Sequence, residues 1–131
     1  MFKNFKMTFD YRYIENDGAI ICFAAPRHLD AELTRMTANY IRDKGHKPKN
    51  TIAPEYKGIA RYKEGDVDDP ETATEIARCK AVRAAFKGYA ALTNELLEYI
   101  YEKYGDFFGV ATSIDNKIDK ITEEIIEMTK Q

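Results

Sequence analysis

The stretch Pro70–Tyr104 constrains the fold more than any other part of the chain. Asp69 and Pro70 make a strong helix start, because an aspartate side chain accepts from the first free N–H groups and proline suits the first turn. Gly105 is a natural stop, and between Glu71 and Tyr104 the one helix-weakening glycine is Gly88, with no proline. A single helix over this span measures roughly 50 Å at about 1.5 Å per residue, more than a domain of this size needs to cover its own core. Three stripes run along it. Cys79, Val82, Phe86, Tyr89, Thr93, Leu96 and Ile100 step by three and four, like a coiled-coil seam. Ala77, Ala81, Ala84, Gly88 and Ala91 step the same way on another side and are small enough to admit a second backbone. Lys80, Arg83 and Lys87 form a basic edge, with Asn94 two turns on. Two packing faces on one helix predict an element shared between subunits, hence a homo-oligomer of at least two chains.

The rest of the chain reads as α+β. Met7–Ile14 alternates Met7, Phe9, Tyr11 and Tyr13 with Thr8, Asp10 and Arg12, the pattern of a half-buried strand. Glu15–Gly18 is a hairpin turn in which Asp17-Gly18 suits positive φ. Ala19–Ala25 is continuously apolar and is expected to be covered on both faces, with Pro26 ending it. Leu29, Leu33, Met36, Tyr40 and Ile41 predict a helix over His28–Lys44, stopped by Gly45 and packed on the sheet. His46–Glu55 is a loop and Tyr56–Lys63 a third strand. After Gly105, Thr112 or Ser113 caps a last helix whose Ile114, Ile118, Ile121, Ile125 and Met128 form one apolar seam. The expected fold is a small antiparallel sheet with a short helix, then a C-terminal helical hairpin led by the long helix. It makes a single domain over 1–131, with a sheet-rich part at 1–68 and the hairpin at 69–131.

Composition narrows the function. The formal net charge is −2, so nucleic acid is not an expected partner: neutralising a phosphate backbone calls for a basic face. Met1–Lys6 lacks an apolar leader segment, and no run approaches the ~20 apolar residues that span a bilayer. A cytoplasmic protein with no membrane contact is expected. Cys22 and Cys79 both sit in apolar patterns, which predicts buried, unreactive free thiols; a disulfide between them stays open. The chain has no Gly-x-Ser-x-Gly, no His-Glu-x-x-His, no phosphate-binding Walker loop and no dinucleotide glycine fingerprint. Asp66, Asp68 and Asp69 lack the glycine and distal glutamate of a calcium loop. The expectation is a binding protein without catalysis, metal or cofactor.

Cations at element ends are the informative groups. Arg27 follows an apolar strand, Arg61 lies on a strand face with Ile59 and Lys63, and Arg78 and Arg83 come early in the long helix. A guanidinium offers a planar fork of donors that matches phosphate. For Arg61 the competing reading is a salt bridge to the acidic turn Glu64–Asp69. Phe86 and Tyr89 can stack on a nucleobase or belong to the seam. Asn94 can read a base edge or set the register of an interface.

Taken together, the N-terminal hairpin, Pro26-Arg27 at a strand end, Gly58-Ile59-Ala60-Arg61, Asp66-x-x-Asp69 and the helix start Glu75-Ile76-Ala77-Arg78 resemble small phage proteins, in particular the type-one Thoeris anti-defence proteins. The resemblance covers residues 7–104 and does not extend past Gly105. That family sequesters cyclic ADP-ribose isomers made by bacterial immunity, binds the signal between protomers of a symmetric oligomer, and also holds cyclic oligonucleotides. The resemblance implies a sponge acting in the cytoplasm of an infected bacterial host. In it Arg27 and Arg61 would clamp the diphosphate, Phe86 would stack on adenine and Asn94 would touch base or ribose; Arg83, one of the helix cations, is a further ligand candidate from the residues themselves. The alternative is a phage inhibitor or adaptor that binds a protein through the helical hairpin and has no nucleotide ligand.

Overall fold

The computed structural model describes residues 7–62 and 69–130. Along the chain run β1 (Phe9–Asn16), β2 (Ala19–Pro26), α1 (Ala31–Lys44), β3 (Tyr56–Arg61) and α2 (Pro70–Thr129). The α+β class, the hairpin with its third strand, the short helix and the long helix are as the sequence predicts. The strands form one antiparallel sheet in the order β1-β2-β3. Asp17 and Gly18 close the β1–β2 hairpin at φ 49° and 72°; positive φ at both central residues gives a turn whose twist matches the flanking strands. Two compact units make up the chain, one ending at Leu96 and one beginning at Leu97, and α2 supplies residues to both.

In the first unit, alternation along β2 buries Ile20, Cys22 and Ala24. Strand register puts Phe9, Tyr11 and Tyr13 of β1 and Tyr56, Gly58 and Ala60 of β3 on the same face. This face meets α2, where Ala73, Ala77 and Ala81 complete the core. The other face of β2 is only half-buried, contrary to the expected cover on both sides. There the Arg12 guanidinium lies 4.1 Å over the Phe23 ring, so a long side chain shields apolar surface on that face.

The helix approaches closely because its contact residues are small. A Cβ on Gly58 would stand 2.1 Å from the Ala77 carbonyl oxygen and 2.5 Å from the Ala81 nitrogen. The alanine stripe thus admits a second backbone, and that backbone is β3 of the same chain. At Gly88 a Cβ would lie 2.8 Å from the Tyr56 hydroxyl, so this glycine also faces its own sheet. Lys80 donates through Nζ to the Ile59 carbonyl at 3.0 Å, covering an outer edge of the sheet. The expected seam is therefore half right: Tyr89 and Leu96 are buried, but Cys79, Phe86 and Thr93 are exposed. The buried line instead runs Ala73, Ala77, Ala81, Ala85, Tyr89, Leu92 and Leu96. Its early steps are all four residues, which drift around an α-helix and so depart from a heptad seam.

At the start of α2, Asp69 Oδ1 accepts from the Thr72 backbone N–H at 2.7 Å and Oδ2 from the Thr72 hydroxyl at 2.9 Å. These bonds hold the Asp69 carboxyl below its ordinary range. Helix α1 begins later than expected, capped by Asp30, and ends as expected at Gly45, whose N–H reaches the Ile41 carbonyl at 2.8 Å. Its buried residue, Tyr40, sends its hydroxyl to Glu95 of α2 at 3.4 Å. A hollow of about 390 Å³ beside α1 is lined by Leu29, Leu33 and Ile41, by Ile52 of the following loop and by Leu92 of α2, with no strand residue. Tyr40 and this hollow join α1 to α2 and to that loop. Glu95 also accepts from the Lys49 and Asn50 backbone N–H groups, each at 2.8 Å, and from the Asn50 amide at 2.9 Å. One carboxylate thereby straps the loop to the helix.

The expected helical hairpin is not formed. α2 continues through Gly105 to Thr129, because glycine costs a helix only about 1 kcal/mol relative to alanine and does not break it as proline does. A Cβ at Gly105 or Gly109 would meet nothing within 4 Å, so neither glycine serves a tight turn.

Two stability predictions follow from these contacts. Gly58→Ala forces a methyl into backbone atoms that cannot rotate away, and should cost about 3 kcal/mol or more, the upper range for overpacking; a urea midpoint equal to the parent's would refute the close approach. At Glu95, partial burial raises the carboxyl pKa, but the hydrogen bonds from Asn50, Lys49 and Tyr40 outweigh it and the net shift is downward. A folded-state pKa below the unfolded one adds stability that is full above the unfolded value and is lost as pH falls through the folded value. Glu95→Gln should lower stability by about 1–2 kcal/mol at neutral pH, and parent and variant should converge in acid.

Candidate functional site

β1 is an edge strand, and its side facing α2 carries a row of rings. Phe9 and Tyr11 lie 6.1 Å apart between centroids, and Tyr11 and Tyr13 lie 6.3 Å apart at 28°. Alternation in a strand places every second side chain on one face, which lines these rings up. On α2, residues 78, 79, 82, 83 and 86 recur at spacings of one, three and four and share one side of the helix. Where that side faces the ring row there is a hollow of about 400 Å³ lined by Tyr11, Arg78, Cys79, Val82, Arg83 and Phe86. Phe86 is 43% exposed and meets Phe9 edge-on at 6.5 Å. A second hollow of about 350 Å³ shares Cys79 and Arg83 and adds Glu75, Ile76 and Lys80.

The two arginines differ. Arg78 pairs with Glu75 at 2.5 Å, and its hydrogen bond and charge interaction with that glutamate raise its pKa further. Its Nε is buried without a hydrogen-bond partner, a donor held next to the rings of β1. Arg83 is exposed. The site thus combines ring faces and edges with two guanidinium groups, a set that can stack on a planar base and donate to an anionic oxygen.

The structure brings together Arg83 and Phe86 but not the other predicted ligands. Asn94 is exposed and lies eleven residues beyond Arg83, roughly 16 Å along the helix. Arg61 extends from the sheet face opposite α2, in register with Ala19. Arg27 follows Pro26 at the far end of β2 and reaches Asp10 at 3.8 Å. From Ala19 to Arg27 is roughly 25 Å of strand at about 3.3 Å per residue, so the two do not clamp one diphosphate within a single chain. The acidic residues 64–68 proposed as an alternative partner for Arg61, and Lys63, lie outside the described residues. Tyr11 has no site role in the sequence reading, and Arg78 is named there as an informative cation but not as a ligand. Alternation with Phe9 and Tyr13 marks Tyr11, and four-residue spacing to Val82 marks Arg78, but only the sheet register shows that they meet.

The cysteines separate. Cys22 is fully buried, its thiol pushed up by burial, while Cys79 is exposed; both are free. The expectation that both are buried is corrected at Cys79, which faces the hollow because the buried stripe of α2 is the alanine one. Among the described residues no group of three His, Cys, Asp or Glu side chains could hold a metal ion; Asp66 and Asp68 lie outside them. Among the described residues no helix is long and apolar enough to cross a membrane.

Comparison of the chain with known protein families, curated proteins and solved structures finds no match in any of the three.

Thiol chemistry tests this geometry. A maleimide should modify Cys79 within minutes on the native protein and Cys22 only after unfolding. Equal protection of the two would place Cys79 in a packed seam and remove it from the hollow.

Proposed function

We propose that the protein is a nucleotide sponge, which binds a cyclic ADP-ribose-type signal and withholds it without cleaving it, in the cytoplasm of an infected bacterial host. The observation that carries this reading is the grouping of Arg78 and Arg83 with Tyr11 and Phe86 around one hollow of about 400 Å³, within the range of small-ligand sites. Phosphate oxygens would accept from the guanidinium groups, and the base would lie against Phe86 or Tyr11. The resemblance of residues 7–104 to the Thoeris anti-defence proteins supports the same ligand class. Arg27 and Arg61 lie across the sheet from this hollow, so they enter the site only where a second copy presents them.

Calorimetric titration with cyclic ADP-ribose isomers tests the proposal. Arg83→Ala should weaken binding by about 1.5–3 kcal/mol, the range for a hydrogen bond to a charged group, and Phe86→Ala by about 1–3 kcal/mol through lost stacking. Heating the complex should release the nucleotide intact. Arg61→Ala separates two arrangements: unchanged affinity places the ligand within one chain, and a loss places it between copies. No binding of any isomer, or recovery of a hydrolysed product, would overturn the sponge.

A further inference from the structure

The second unit carries an apolar stripe that nothing in it covers. From Tyr101 to Met128 the large apolar residues are between 48% and 72% exposed. Their spacing is strict. Leu97, Tyr104, Ala111, Ile118 and Ile125 recur every seven residues, and so do Ile100, Phe107, Ile114, Ile121 and Met128 three residues behind them. The two sets are the a and d positions of a heptad repeat, sustained without a stutter from 97 to 128. Gly105 and Gly109 take outward b and f positions, where a Cβ would meet nothing. An isolated helix carrying both glycines, each about 1 kcal/mol worse than alanine, gains its stability from packing of its apolar face.

We propose that residues 97–128 assemble with copies of the same chain as a parallel, in-register coiled coil of more than two strands. Three features select this occupant. Tyr104, Phe107, Ile114, Ile118, Ile121, Ile125 and Met128 along the stripe are each 48–68% exposed, a continuous apolar surface of the kind that a stable interface, roughly 800 Å² on each partner, buries. In a parallel, in-register alignment each a or d residue meets its own copy, so isoleucine layers face isoleucine layers. Flanking g and e′ positions then pair Lys103 with Phe108, Val110 with Asp115, Lys117 with Thr122 and Glu124 with Thr129, so no like charges oppose. Isoleucine at both a (Ile118, Ile125) and d (Ile114, Ile121) favours three or four strands over two. The assembly requires no nucleotide and stands apart from the ligand reading.

Light scattering on the full chain at micromolar concentration should give three or four times the chain mass; a monomer or a dimer would overturn the proposal. Ile118→Asp with Ile121→Asp should reduce the assembly to monomer, while Asn116→Glu, at an outward f position, should leave it intact. Protection of Cys22 from maleimide shows in each case that the sheet unit is folded. Retained mass in the folded double variant would place the interface elsewhere. With Cys79→Ser to remove the exposed thiol, Ile121→Cys should cross-link to its own copy under mild oxidation, and absence of that cross-link would exclude the parallel register. Capture of a different protein by the stripe in a chain that stays monomeric would assign it to a heterologous partner instead.

Discussion

The closeness of β3 to α2 rests on the absence of a side chain at Gly58. With no Cβ there, the strand backbone seats against the helix backbone between Ala77 and Ala81. A core made mostly of alanines, with Ile20 and Cys22, buries little apolar area per residue, so its cohesion depends on short distances, and dispersion forfeits about a quarter to a half of its well over a gap of about 0.5–1 Å. That closeness also sets the site. With the alanine stripe held against the sheet, the side of α2 bearing Arg78, Cys79 and Phe86 turns toward the ring row of β1.

The hollow gathers donors and rings from elements of different character. The ring row belongs to an edge strand, while the guanidinium groups sit on a helix whose first turn is fixed by Asp69. Two hydrogen bonds from Thr72 hold that cap, and rotation of α2 about its axis is limited at Glu95, where the loop 49–50 is tied down. Between these two points lie all the helical residues of the hollow. The site is therefore braced by the polar strap at Glu95 and by close contacts along the alanine stripe.

Much of this fold was legible in the sequence. Asp17-Gly18 marked the hairpin, Gly45 ended α1 and Asp69-Pro70 opened α2, because each needs a local conformation that few other residues supply. Large residues on α2 suggest a seam where alanines make the contact; the sheet selects the smaller stripe because it permits a nearer approach. Gly105 looks like a break in sequence but is not one. Glycines there weaken a helix without ending it, and the heptad phase running from Phe107 through Ala111 to Ile114 was the signal of continuity. In the site, Arg78, Arg83 and Phe86 were legible on the helix, whereas the place of Tyr11 depends on how the sheet packs against it. The separation of Arg27 from Arg61 likewise follows from pairing across β2, which no single segment of sequence displays.

The sheet is assembled from two very different closures. β1 meets β2 across two turn residues, a local event that hairpins complete in microseconds. β3 meets β2 only after the chain from Arg27 to Glu55 has looped out and returned, and Gly58 cannot seat until it does. Fourteen residues of that excursion are taken up by α1, so a self-capped helix shortens the flexible path and lowers the entropy of ring closure. The rate of folding is thus tied to nucleation of a helix that lies outside the sheet it helps to join.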